Sequence, residues 1–336
     1  MAHRCCSQRG SLQVGLVFLI LLLSSKFQQA SCQLKVSFYA KACPRAESLV
    51  KDTVSYAIFK DQSLAGSILR MLFHDCFTSG CDASILLNSV NGQQAEKDAP
   101  PNKNVRGYEV IAWAKGRVEA ICPGVVSCAD ILAYAARDSV VLMGGQSWSV
   151  PVGRRDGMSS SANDANSNLP SFTASVAQLA ASFQAKGLTV SEMVTLSGAH
   201  TLGGAACSSF SDRLYNFNST HPQDPSLDPL YAQVLKSTCP QHGAASSATN
   251  TANLDVSTPD RFDNMYFKNL MSGKGLLSSD QLLSTDPKTK GNVHQLAGNN
   301  SVFLTKFAKA MVKMSAIGVL TGTQGQIRLN CSVING

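Results

Sequence analysis

The stretch Leu69-Arg70-Met71-Leu72-Phe73-His74-Asp75-Cys76-Phe77-Thr78-Ser79-Gly80-Cys81-Asp82 decides how this chain reads. Ala65, Ile68, Leu69, Leu72, Phe73 and Cys76 recur at helical spacing, so the segment is a helix with one apolar face. Arg70 and His74 are four residues apart and lie one turn apart on another face, with Gly66 and Phe77 and beside Phe73. An arginine and an imidazole pressed against apolar neighbours need partners or a task. Alone, such a pair is more often a core histidine and an ion-paired arginine than an active site. The chemistry it suits is oxygen–oxygen cleavage. Imidazole can take a proton from one oxygen and return it to the other. A guanidinium that never loses its charge steadies the leaving oxygen.

The next residues, Asp75 to Ser84, offer the hard oxygens of Asp75, Asp82 and Ser84 and the carbonyls of Thr78 and Gly80, a set that suits calcium. The alternatives are a plain polar turn, or zinc held by His74, Cys76 and Cys81. A second histidine stands in Leu196-Ser197-Gly198-Ala199-His200-Thr201-Leu202-Gly203. It is expected at a helix end among small residues that leave room for a flat ligand, and haem iron is commonly held by one such histidine. A ligating imidazole wants its other N–H on a carboxylate, and Asp280 is a candidate.

Further out, Ser127–Met143, Ser175–Lys186, a segment opened by the Thr189/Glu192 capping box, and Phe303–Ile317 all read as helices. Ser159–Asn168 and Gln241–Asn250 read as surface loops, and strand patterns are few and short. The fold class is mainly α, as one large domain or two fused lobes. Residues 1–32 read as a secretory signal peptide. Arg4 and Arg9 precede the apolar run Val14–Leu23, which falls short of the roughly 20 residues of a membrane span. Ala30 and Cys32 suit cleavage before Gln33, leaving 33–336 as the mature domain.

Removing Arg4, Arg9, Lys26 and no acid takes the formal charge from +7 to +4, too weakly basic to argue for nucleic acid. Eight of the eleven cysteines remain, an even number that reads as four disulfides in an exported chain, although spacing fixes no pairing. Asn218 and Asn299 head glycosylation sequons, and Asn330 heads a weaker one.

Together, Leu69–Asp82, Val150–Gly157 (V-P-V-G-R-R-D-G), Val194–Gly203, Phe262-Asp263-Asn264 and Leu320–Cys331 (L-T-G-T-Q-G-Q-I-R-L-N-C) resemble the secretory plant haem peroxidases of class III. The resemblance covers essentially the whole mature chain. It implies a helical haem peroxidase fold, two lobes sandwiching one haem b, with two Ca2+ ions and four disulfides: Cys43–Cys122, Cys76–Cys81, Cys128–Cys331 and Cys207–Cys239. Loop entropy would give roughly 2 kcal/mol for the Cys76–Cys81 ring and roughly 5 kcal/mol for Cys128–Cys331.

The resemblance also implies the roles. His74 is the distal acid–base, Arg70 the oxyanion stabiliser, and Asn102 the group that keeps His74 basic, while Phe73 walls the pocket. Glu96 links Asn102 to the first calcium site of Asp75, Thr78, Gly80, Asp82 and Ser84. His200 ligates iron and Asp280 accepts its second N–H. Thr201, Asp255, Thr258, Asp263 and the carbonyl of Arg261 form the second calcium site, and Pro170 lies by the haem edge where donors bind. Hydrogen peroxide and small phenolic donors are the implied substrates, and a monomer is expected. Leu72 stands where many members carry histidine. Ser171-Phe172-Thr173 and Cys207-Ser208-Ser209-Phe210 differ from some members, which bears on donor preference. Only Ser332–Gly336 follow Cys331, so the extracellular space is expected rather than the vacuole.

Overall fold

Helix caps divide the chain. Ser127 Oγ accepts the Asp130 N–H, and Ser175 with Gln178 and Thr189 with Glu192 each close a reciprocal capping box. The computed structural model describes residues 34–241 and 250–336, so the expected signal peptide and most of the polar run 241–250 lie outside the described residues. Residues 34–336 form one unit. Its helices are α1 (Ala46–Lys60), α2 (Leu64–Thr78), α3 (Tyr108–Glu119), α4 (Cys128–Leu142), α5 (Ala162–Asn168), α6 (Val176–Ala185), α7 (Val190–Ser197), α8 (Ser211–Tyr215), α9 (Pro229–Thr238), α10 (Met265–Met271), α11 (Ser278–Thr285), α12 (Lys290–Gly298) and α13 (Asn300–Met314). The strands β1 (Gly204–Ala206) and β2 (Thr251–Asn253) pair antiparallel, Gly204 opposite Asn253.

Two expectations are corrected. Ser159–Asn168 is not a loop throughout: Ser161 caps α5, a short polar helix with no apolar stripe to announce it beyond Ala162 and Ala165. The last helix starts at Asn300 rather than Phe303, because Asn299 caps it through the Val302 N–H, and it ends at Met314.

The helices form two sets. In one, α4 is buried along nearly its whole length and packs on α1, α2 and α3. In the other, α7, α10, α11, α12 and α13 pack on one another around Phe262, Tyr266, Phe267, Phe303 and Phe307. The sets meet where α2 crosses the turn Gly198–Thr201. A Cβ on Gly66 would lie 3.0 Å from the Gly203 nitrogen, so only glycine lets α2 come this close to the chain leaving His200. A smaller apolar cluster of Phe210, Leu214, Leu227, Tyr231 and Leu235 sits beside Cys207–Cys239.

All four implied disulfides are present, with Cα–Cα separations of 5.8 Å (Cys43–Cys122), 4.0 Å (Cys76–Cys81), 5.6 Å (Cys128–Cys331) and 5.6 Å (Cys207–Cys239). The bridge between Cys76 and Cys81 removes both thiolates that a zinc site with His74 would need. Buried polar clamps complete the frame. Arg154 and Asp130 pair at 2.7 Å with neither side chain exposed. The Asp156 carboxylate takes the N–H groups of Cys128 (3.1 Å) and Ala129 (2.9 Å) at the start of α4 and that of Arg328 (2.9 Å). Arg328 reaches on to the Ala83 carbonyl at 2.6 Å. The motifs Val150–Gly157 and Leu320–Cys331 thus clamp the loop that follows α2.

Candidate active site

Helix α2 sets Arg70 and His74 in register, and Arg70 Nε donates to His74 Nε2 at 3.0 Å. The guanidinium is anchored by its Nη2, which donates to the Pro101 carbonyl at 2.8 Å. His74 Nδ1 bonds Asn102 Oδ1. The Asn102 amide is oriented in turn, because its Nδ2 donates to the Glu96 carbonyl at 2.7 Å. With its oxygen facing the ring, Asn102 can only accept, so the proton sits on Nδ1 and the Nε2 lone pair faces Arg70. Burial, then the Arg70 charge, push the His74 pKa down to about 3, and Asn102 opposes this. The imidazole is therefore neutral, a base with its free electron pair beside a fixed cation. Phe73, half-buried, stacks into a cluster with Phe77 (4.2 Å between centroids) and Phe183 (6.0 Å).

On the other side, His200 lies in the short turn Gly198–Thr201, just past α7 rather than within its last turn. A Cβ on Gly198 would lie 2.5 Å from Phe303, so this glycine lets the turn settle on the second helix set. His200 Nδ1 donates to Asp280 at 3.0 Å (Oδ1) and 3.1 Å (Oδ2), across 80 residues of sequence. The same Oδ1 accepts the Tyr266 hydroxyl at 2.8 Å. The His200 side chain is 37 % exposed while Asp280 is 4 % exposed.

Two oxygen clusters flank these histidines. In the first, Asp75 accepts the N–H groups of Ala83 (2.9 Å) and Ile85 (3.3 Å), and Asp82 accepts that of Ser84 (3.0 Å). Ser84 Oγ and both Glu96 carboxylate oxygens are buried without a hydrogen bond, although Ser84 is near enough to temper the Glu96 pKa. Burial and mutual repulsion raise Asp75 well above the usual carboxylate range, burial raises Asp82, and burial brings Glu96 to about 8. Lys186 Nζ reaches the Thr78 carbonyl at 3.4 Å, and the Gly80 carbonyl takes the Asp82 N–H at 2.8 Å. Orphaned buried oxygens and crowded carboxylates fit a hard cation.

In the second cluster, Thr201 Oγ1 donates to Asp255 (2.9 Å) and approaches the Arg261 carbonyl (3.3 Å), and Thr258 Oγ1 donates to Asp263 at 3.1 Å. Asp255 also accepts Asn269 Nδ2 at 2.7 Å. The five residues of the implied second site converge here. Among the described residues no group of three or more His, Cys, Asp or Glu side chains could hold a metal, so both clusters depend on hydroxyls and carbonyls.

Pro170 is half-buried on the segment before α6, which is tied to the Asp280 helix where Ser279 N donates to the Phe172 carbonyl at 3.1 Å. Sequence reasoning missed the Pro101 carbonyl, the buried, unbonded Tyr108 hydroxyl near Arg70 and Glu96, and Tyr266. A backbone acceptor has no sequence signature. Tyr266, four residues after Phe262, carried the one available signal, a tyrosine within a phenylalanine-rich core.

Residues 50–299 match the family model described as Peroxidase. Peroxidase 5 of Vitis vinifera is 51 % identical over 329 residues, covering 97 % of both chains. The chain belongs to the peroxidase family, in its plant class III. Peroxidase N1 of Nicotiana tabacum is 50 % identical over 90 % of each chain, and Peroxidase 54 of Arabidopsis thaliana 45 % identical over 96 % of this chain and 90 % of its own. The peroxidase is therefore a haem enzyme that acts on hydrogen peroxide and oxidises a donor. Its residues fit that cofactor. His200 Nε2 makes no hydrogen bond among the described residues, its Nδ1 is held by a carboxylate, and its side chain is partly open. No helix among the described residues is long and apolar enough to cross a membrane.

Proposed function

We propose that His74 is the acid–base of peroxide cleavage, Arg70 the stabiliser of the leaving oxygen, and His200 the iron ligand. The observation that carries this reading is the chain from His74 Nδ1 through Asn102 to the Glu96 carbonyl, which leaves Nε2 unprotonated next to Arg70. Peroxide entering between Arg70 and His74 gives a proton to Nε2. The same nitrogen returns it to the departing oxygen, which leaves as water, while Arg70 balances the charge developing there. Phe73 would narrow the space beside His74. A bound haem would supply the two electrons that cleave the oxygen–oxygen bond, and donors would return them one at a time. Asp280 holds the His200 tautomer and makes the ring a stronger electron donor.

The haem is haem b in this reading, and small phenols at the Pro170 edge are the donors. Two Ca2+ ions occupy the clusters, the first held by Asp75, Thr78, Gly80, Asp82 and Ser84 with Glu96 adjoining, the second by Thr201, Asp255, Thr258, Arg261 and Asp263. The orphaned Ser84 and Glu96 oxygens support the first, and the convergence of hydroxyls and carboxylates on Thr201 supports the second. Residues 1–32 act as a signal peptide, and 33–336 work outside the cell as a monomer; the disulfides and the exposed sequon asparagines Asn218 and Asn299 support export. Titration of haem into the protein tests the proximal half. His200→Ala should lose the Soret band of the parent and His74→Ala should keep it, whereas an unaltered His200→Ala spectrum would rule His200 out as ligand.

A further inference from the structure

Three groups meet at the Asp280 carboxylate. His200 Nδ1 donates to both of its oxygens, at 3.0 and 3.1 Å, and Tyr266 donates its hydroxyl to Oδ1 at 2.8 Å. Tyr266 is 1 % exposed. Its ring stands edge-on to the His200 imidazole, 6.1 Å away at 85°, and edge-on to Phe267 at 5.0 Å. The phenol is fixed by packing and shielded from solvent. Burial and the neighbouring carboxylate hold its proton on well above the ordinary tyrosine range, so it remains a donor.

A carboxylate behind a ligating imidazole raises the ligand's basicity by drawing on its N–H. A second donor to that carboxylate works against this, because each hydrogen bond to the charged form lowers its proton affinity. Asp280 is nearly sealed from solvent, so its charge is divided between these two donors alone among the hydrogen bonds of the described residues. We propose that Tyr266 is a positioning residue that limits how much negative charge Asp280 passes to His200, and so sets the electron richness of the iron ligand. Nothing in the established activity requires a hydroxyl there; a phenylalanine would fill the same space. The inference rests on the reading of His200 as the ligand.

The test uses the full-length holoprotein and two readouts that packing alone would not move: the ferric/ferrous midpoint potential, and the iron–histidine stretch of the ferrous form by resonance Raman. Tyr266→Phe should lower the potential, a tenfold gain in preference for ferric iron corresponding to about 59 mV, and raise the stretching frequency. Site-specific 3-fluorotyrosine at position 266, a stronger donor of the same shape, should shift both the other way, and it decides the matter alone if Tyr266→Phe does not fold. Unchanged potential and frequency, or shifts of the same sign in both variants, would overturn the role of Tyr266. A parent protein with no iron–histidine stretch would overturn the reading of His200 instead, so the two failures are distinguishable.

Discussion

The two faces of the site hold a histidine each, by opposite means. His74 is held by neutral partners and a cation: the Asn102 oxygen on one nitrogen, Arg70 on the other, and burial around both. His200 is held by a carboxylate and keeps more than a third of its side chain exposed. The first arrangement keeps an imidazole unprotonated and free to accept a proton. The second would push electron density through the ring and leaves Nε2 free of hydrogen bonds among the described residues, as a metal ligand needs. One residue type does two jobs because its neighbours differ. The oxygen clusters differ in the same way. The one after α2 leaves Ser84 Oγ and Glu96 bare, whereas the one beside His200 already satisfies Asp255 and Asp263 with hydroxyls and amides.

The largest effect that would break this contrast is at Asp280. Asp280→Ala should weaken haem retention by about ten- to a hundredfold, the usual cost of losing a group behind a metal ligand. Asn102→Ala should leave haem affinity alone and slow the peroxide reaction. Equal haem loss in both, by apo-protein competition, would remove the distinction between the faces. Next is calcium affinity against pH. Glu96 sheds its proton only at about pH 8, and Asp75 and Asp82 are raised beside it, so the cluster gains charge as pH rises. Affinity should therefore rise with pH up to about 8, with Glu96 alone contributing about tenfold per unit below that. Glu96→Gln should make the profile measured by calcium titration shallower. The smallest effect is at the satisfied cluster, where Thr201→Val removes one hydroxyl from Asp255 and should cost about 1 kcal/mol in thermal stability. A loss several times larger would mean that this cluster is as dependent on its cation as the other.

Much of the first face was legible in sequence because its parts are local. Arg70 and His74 share a helix at a four-residue spacing, and the oxygens of Asp75 to Ser84 follow directly. Asn102 and Glu96 came only with the family resemblance, since nothing in a short 3-10 segment shows where an amide points. The second face is built across long separations, His200 to Asp280 and Thr201 to Asp255, which periodicity cannot register. Tyr266 gave only a faint signal for a simpler reason: its hydroxyl reaches Asp280, yet its ring reads as core. The motifs Val150–Gly157 and Leu320–Cys331 were recognisable, but their work as clamps on Ala83 and the start of α4 emerges only from the hydrogen bonds of Asp156 and Arg328. The capped helices were legible, whereas α5, too short and polar for a stripe, was not.

The central claim is that His74 is a neutral base poised by Arg70 and Asn102, and stopped-flow mixing of the ferric holoprotein with hydrogen peroxide tests it most directly. With a base whose pKa lies at about 3, the rate constant should stay level from pH 7 down to about pH 4 and fall below that. In His74→Ala, with the Soret band retained, it should drop by about 10²- to 10⁴-fold. A mutant that keeps its haem and reacts as fast as the parent would contradict the account.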